Sequence, residues 1–282
     1  MVSGNALFFY PFMMNALSSA VSSADINSSA TVVPGPVTNP SLLTKILDLI
    51  EYGIMVPFVY LALLFCILAI VYRIVSIFRT PANAYSLRIY PSAKKPGLAA
   101  LADSYFMPQV RKFKPMLWIF LIIFHVSFLL LILGHLDILP GISLIPESSR
   151  HMLGAGIVGV GVTLPLFYFL FRRFRSPNRE ITVPADYLLL MLIIFLALFG
   201  DLMSWGNSWT ANGFVMTKMD FSKYFDGLIH FTFADPRLVL PGSHYHFAVI
   251  HVLLANIFFM VLPFSKIVHA FFTIPINMLR RK

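Results

Sequence analysis

Charge is what this 282-residue chain has least of. Asp, Glu, Lys and Arg together make up 12% of it, about half the share of a soluble globular domain, so an ordinary water-facing fold is excluded. Cysteine is nearly absent. A single residue, Cys66, rules out an intrachain disulfide framework, a cysteine-rich iron–sulfur site and a CxxCH haem attachment. Cys66 sits in an apolar run and reads as an inert buried thiol. Acidic residues are scarcer than basic ones, 12 against 21, which gives a formal charge of +9. The basic residues cluster between apolar stretches, the pattern that orients a membrane protein, so nucleic acid is not the expected partner. No series of Asp or Glu runs through the apolar stretches to support a proton relay. Nor is there an inverted repeat of the kind transporters carry.

What is abundant is apolar. Hydrophobic residues make up 58% of the chain and mean hydropathy is +0.81, with 28 Phe and 13 Met suited to facing lipid or packing irregularly. Crossing a bilayer takes about 20 residues, and five stretches reach that length: 51–78, 116–136, 151–171, 184–205 and 247–272. Pro57 is expected to kink the first span without ending it. Gly154, Gly156, Gly159 and Gly161 in the third read as close helix contacts. Trp118, Trp205 and Trp209 read as interfacial anchors. The expected fold is an all-α membrane protein, a five-transmembrane-helix bundle occupying residues 47–282 in the cytoplasmic membrane. Residues 1–46 read as an extracytoplasmic extension; without a positively charged leader they make a poor secretory signal. Sixteen of the twenty-one Lys and Arg fall on one side of such a bundle, which predicts the N-terminus outside and the C-terminus inside. The long basic connection over residues 79–115 is a candidate docking surface on the inner side.

Two of the spans carry histidine pairs. His125 and His135 stand ten apart in MLWIFLIIFHVSFLLLILGHL, and His251 and His269 stand eighteen apart in the fifth span. An ionisable side chain in hydrocarbon marks a functional site by default. Antiparallel placement pairs His135 with His251 near the outer edge and His125 with His269 further in. The rises do not match: ten helical residues climb about 15 Å and eighteen about 27 Å. Histidine is a standard axial haem ligand, and two on opposite helices would fill both axial positions. Axial ligation of two haems is therefore the leading reading. Histidines that only hydrogen-bond across helices, or one four-histidine non-haem centre, stand as alternatives.

Around these lie secondary candidates. Arg111, Arg172 and Lys266 at the inner rim, and Arg237, His244 and His246 at the outer, suit haem propionates. Arg150, His151 and Asp201 combine charge or proton exchange with proximity to the outer pair and are candidates for a quinol site. Arg111, Tyr187 or Asp186 would serve a site at the inner face. His230 reads as an ordinary rim group.

The runs FHVSFLLLILGHL and IHVLLANIFFMVLPFSKIVHAFF, with their spacings of ten and eighteen, resemble the gamma-subunit family of respiratory nitrate reductase, five-helix dihaem cytochromes b. PADYLLL at 184–190 and PFSK at 263–266 look more like the Dsr-type M, or transmembrane-complex, cytochrome b subunit of sulfate reducers. The heterodisulfide reductase membrane subunit is also similar. The resemblance implies two b haems on the four histidines and exchange of electrons with menaquinone or a related quinone or phenazine. It further implies a cytoplasmic iron–sulfur, heterodisulfide-reductase-like subunit, an exported multihaem cytochrome c and further membrane subunits. Such a chain is the quinol-reacting part of an oxidoreductase complex, not a complete enzyme alone. The rival from another class is a non-redox membrane anchor or assembly subunit whose histidines are structural.

Overall fold

A computed structural model describes residues 41–79, 95–145, 156–209, 217–240, 242, 245–269 and 272–273. The expectations for the N-terminal extension up to residue 40, the middle of the basic connection, Gly154, Arg150, His151 and His244 lie outside the described residues. Two compact units divide the chain at residues 1–44 and 45–282, and the second holds the contacts that build the bundle. Among the described residues every regular element is helical.

Among the described residues five helices are long and apolar enough to cross a membrane, over Leu42–Ser76, Pro115–Asp137, Ile157–Phe174, Pro184–Ser204 and Tyr245–Phe264. The protein is a multi-pass membrane protein. The first span begins at Leu42 and not near Glu51, because LLTKILDLI continues the helical run upstream. It consists of α1 (Leu42–Met55) and α2 (Pro57–Arg79), separated by one turn residue, Val56. Pro57 cannot donate to the helical ladder, and the carbonyls just ahead of it are taken up by other side chains. Asn256 Nδ2 donates to Ile54 O at 3.1 Å and the Tyr224 hydroxyl to Met55 O at 2.6 Å. Both donors are buried. The proline is thus accommodated as expected.

Short helices α3 (Pro96–Phe106) and α4 (Pro108–Phe113) lead into α5 (Pro115–Asp137), each opened by a proline at its first turn, where the missing N–H costs nothing. Next come α6 (Ile157–Phe174), the single turn α7 (Asn178–Ile181), α8 (Pro184–Trp209) and α9 (Lys218–Ile229). Thr217 and Asp220 close a reciprocal capping box on α9. The last span starts as α10 (Tyr245–Val261). It does not continue as α-helix. Two 3-10 turns, Leu262–Phe264 and Lys266–Val268, follow. Pro263 interrupts the ladder, and Ser265 is extended with its hydroxyl accepting from Ile267 N. The 27 Å rise expected between His251 and His269 therefore does not apply, since the helix ends between them.

Packing runs from α5 to α6, α6 to α8, α8 to α10 and α10 to α2. A core of Val162, Leu166 and Leu170 from α6 with Leu190 and Ile194 from α8 joins the middle of this series. A second core gathers Met55, Val56, Tyr224, Leu228, Leu240, Tyr245 and Val249 where α1, α9 and α10 meet. The close-contact reading of the glycines holds at two positions: a Cβ at Gly159 would overlap Asp201, and one at Gly161 would overlap Ser127.

Candidate functional site: two facing imidazole pairs

His125 and His135 project from α5, His251 from α10, and His269 from the end of the second 3-10 turn. The structure brings them together two by two. The ring centres of His125 and His269 are 6.4 Å apart with planes at 73°; those of His135 and His251 are also 6.4 Å apart, at 17°. These are the pairings that antiparallel placement predicts.

Each ring is fixed from behind. The Nδ1 atoms of His125 and His135 lie 2.7 and 2.8 Å from the carbonyls of Leu121 and Leu131, one turn back on α5. His251 Nδ1 is 3.1 Å from Leu196 O on α8, and His269 Nδ1 is 2.9 Å from Lys266 O. A carbonyl accepts only, so each Nδ1 carries the proton and Nε2 keeps its lone pair. His251 reaches its carbonyl because residue 200 is glycine: a Cβ there would stand 3.2 Å from His251 Cε1.

The four residues fit two haem irons on this geometry. An imidazole nitrogen binds a first-row metal at about 2 Å and lies about 1.1 Å from its ring centre, so rings trans across one iron have centres about 6.3 Å apart. Both pairs meet that separation. The proton on Nδ1 and the carbonyl behind it are the usual orienting partners of a metal-bound histidine. Moreover, α5 and α10 are joined through α6 and α8, so the rings reach toward each other from helices that are not neighbours in the packing series. Among the described residues no three His, Cys, Asp or Glu side chains gather to hold a bare ion. The imidazoles form two pairs and not one four-histidine cluster.

Asp201, the residue after Gly200, is buried on α8, with Thr163 Oγ1 donating to its Oδ2 at 2.7 Å. At the same end of the bundle Arg237 is bound by both Asp48 and Glu51 and lies over the Tyr245 ring. Its hydrogen bond to Glu51, and then that to Asp48, hold its pKa above the ordinary arginine value. His246 Nδ1 is 2.6 Å from the other Glu51 oxygen. Both of these outer-rim candidates thus have carboxylate partners within the chain. His230 is exposed and bonds Asp226. At the opposite end Lys266 Nζ is 2.7 Å from Asp186 and Arg173 Nη1 is 3.2 Å from the same carboxylate. The Tyr187 hydroxyl donates to Arg173 O at 2.9 Å. Arg111 lies 5.3 Å over Trp118, and Arg172 lines an open groove with Lys114, Met116 and Tyr168. Sequence reasoning missed Thr163, Arg173, Asp48 and Glu51 as members of these clusters. A carboxylate within an apolar span, as at Asp186 and Asp201, was the one signal that partners must lie nearby.

A multi-pass helical membrane protein in which four histidines stand in two pairs, each with ring centres 6.4 Å apart, defines the class. Residues 112–282 match the family described as nitrate reductase gamma subunit, and the chain belongs to that family. The Hdr-like menaquinol oxidoreductase cytochrome b-like subunit of Archaeoglobus fulgidus is 28% identical over 169 residues, covering 55% of this chain and 47% of the relative. The protein of the same description from Archaeoglobus profundus is 29% identical over 165 residues, covering 54% and 46%. The chain spans about half the length of the curated relatives it matches.

Proposed function

We propose that this protein is the membrane cytochrome b subunit of a respiratory oxidoreductase complex. It binds two b haems, one between His135 and His251 and one between His125 and His269. It exchanges electrons between a menaquinone-type pool and a cytoplasmic iron–sulfur subunit, in an orientation with the N-terminus outside. The observation that carries this reading is that all four Nδ1 atoms lie at carbonyls while the four rings stand in two pairs whose centres are 6.4 Å apart. Histidines that only packed a membrane anchor would gain by hydrogen-bonding both nitrogens in a medium without water.

Haem, when bound, supplies the one-electron redox change. The chain supplies everything else. Two imidazoles per iron would fill both axial positions, which suits electron transfer and leaves no open site for oxygen. The carbonyls of Leu121, Leu131, Leu196 and Lys266 hold the rings in register. Asp201, hydrogen-bonded to Thr163 and buried, is the group proposed to take and release a proton from a quinol. With Arg150 and His151 it makes up the proposed quinol site. The names of the Archaeoglobus relatives support menaquinol as the reductant class. Arg111 and Arg172 are the inner-rim groups proposed to meet propionates, and an exported multihaem cytochrome c would be a further partner.

The test is a visible spectrum of the purified protein. Two b-type haems per chain are expected, with His251→Ala and His269→Ala each removing one. A chain carrying no reducible haem would sink the reading.

A further inference from the structure

We propose that Asp186 is a positioning residue for His269, holding that imidazole crossed against His125 by way of Lys266. The inference rests on the reading of the His125–His269 pair as an iron-binding pair, and adds what fixes the angle between its rings. The connection is direct. Asp186 is buried at the first turn of α8, and its Oδ2 takes the Lys266 ammonium at 2.7 Å. The same lysine presents its backbone carbonyl to His269 Nδ1 at 2.9 Å. One residue is thus moored by its side chain to α8 and holds the imidazole with its main chain.

His269 needs such a mooring where the other three do not. His125, His135 and His251 sit inside α-helices, whose ladders fix the backbone under each ring. His269 follows the end of α10, after two single 3-10 turns separated by an extended serine. Those turns close on few hydrogen bonds, Ser265 N to Leu262 O and Val268 N to Ser265 O among them, at 3.2 and 3.3 Å. Such short 3-10 pieces are weakly held on their own. Arg173 of α6, at 3.2 Å from the same Asp186 oxygen, holds the carboxylate from a second side.

The angle matters because the two pairs differ in it, 73° against 17°. Axial ligand geometry is one of the protein's means of tuning a haem. Parallel imidazoles would overlap with one of the two iron dπ orbitals more than the other and split them, whereas crossed ones would leave them nearly equal. The crossed pair should therefore give the more anisotropic low-spin ferric EPR signal.

The experiment is EPR and a redox titration on the intact complex, wild type against Asp186→Asn, Lys266→Met and Lys266→Arg. The wild type should show two low-spin signals, the more anisotropic one vanishing in His269→Ala. Asp186→Asn and Lys266→Met should move the low-field feature of that signal toward the other and shift the midpoint of that haem alone. Lys266→Arg, which still reaches the carboxylate, should keep the wild-type spectrum. Should Asp186→Asn fail to accumulate, Lys266→Met carries the test, since the lysine side chain is largely exposed. Two haems present, but with both signals unchanged in both variants or both shifted together, would overturn this inference and leave the proposed function standing. A wild type without haem would overturn the function itself.

Discussion

Single atoms decide how closely α6 and α8 approach. Thr163 Oγ1 and Asp201 Oδ2 are 2.7 Å apart and buried, and the space next to them exists because residue 159 has no side chain. Gly159→Ala is expected to destabilise the protein by about 1–3 kcal/mol, the usual cost of forcing extra volume into a packed interior. The Asp201 carboxyl that would have to yield is held by its threonine. Gly134, on the same kind of apolar helix, meets nothing within 4 Å, so Gly134→Ala should be neutral. Unfolding midpoints in a fixed detergent, compared across the two variants, check the contrast; equal losses would mean that glycine content and not this contact is responsible. The four histidines were legible in the sequence because an imidazole in an apolar run has few innocent explanations. Thr163 was not. A hydroxyl is cheap to bury when its own helix can take the bond, so nothing in the residue order marks it as the partner of Asp201.

Helix by helix, the sequence reading held where the apolar pattern is uninterrupted and missed the break at Pro263. Five spans follow from length and hydropathy alone, and the described residues hold five such helices. The end of α10 does not follow. Residues after Val261 remain apolar, so hydropathy continues through a point where Pro263 and Ser265 break the ladder, and a straight-helix calculation overstates the rise to His269. At Pro57 the sequence shows the defect but not its remedy, since Asn256 and Tyr224 lie about two hundred residues away in the chain. Burial pushes the Tyr224 hydroxyl's pKa above its ordinary value, so it stays a donor at any physiological pH. Asn256→Leu and Tyr224→Phe should each cost about 0.6–2 kcal/mol, the range measured for polar contacts between membrane helices. The two losses should be separable, because each variant orphans a different carbonyl. The midpoint of unfolding in mixed micelles measures this. Wild-type stability in both variants would mean that water or a distorted ladder satisfies Ile54 and Met55.

For the molecule as a whole, the charge distribution predicts which of the two histidine pairs lies nearer which compartment. Arg172, Arg173, Arg175 and Arg179 crowd the connection between α6 and α8, whereas the segment from 217 to 240 mixes Lys218, Lys223 and Arg237 with Asp220, Asp226 and Asp235. Lysine and arginine resist transfer across the membrane, so the proposed orientation has the first connection on the cytoplasmic side and the second outside. In that orientation His269, beside the Lys266–Asp186–Arg173 cluster, lies toward the basic face, and Asp201 lies toward the opposite one. The chain is well suited to a direct test, because Cys66 is its only cysteine and is buried within α2. Lys223→Cys should react with a membrane-impermeant maleimide on intact cells, and Arg179→Cys only after the membrane is opened. The parent chain, with Cys66 alone, should stay unlabelled in both conditions. If Arg179→Cys reacts on intact cells and Lys223→Cys does not, the bundle is inverted. The His135–His251 pair would then face the cytoplasm, and a proton released at Asp201 would no longer contribute to a gradient across the membrane.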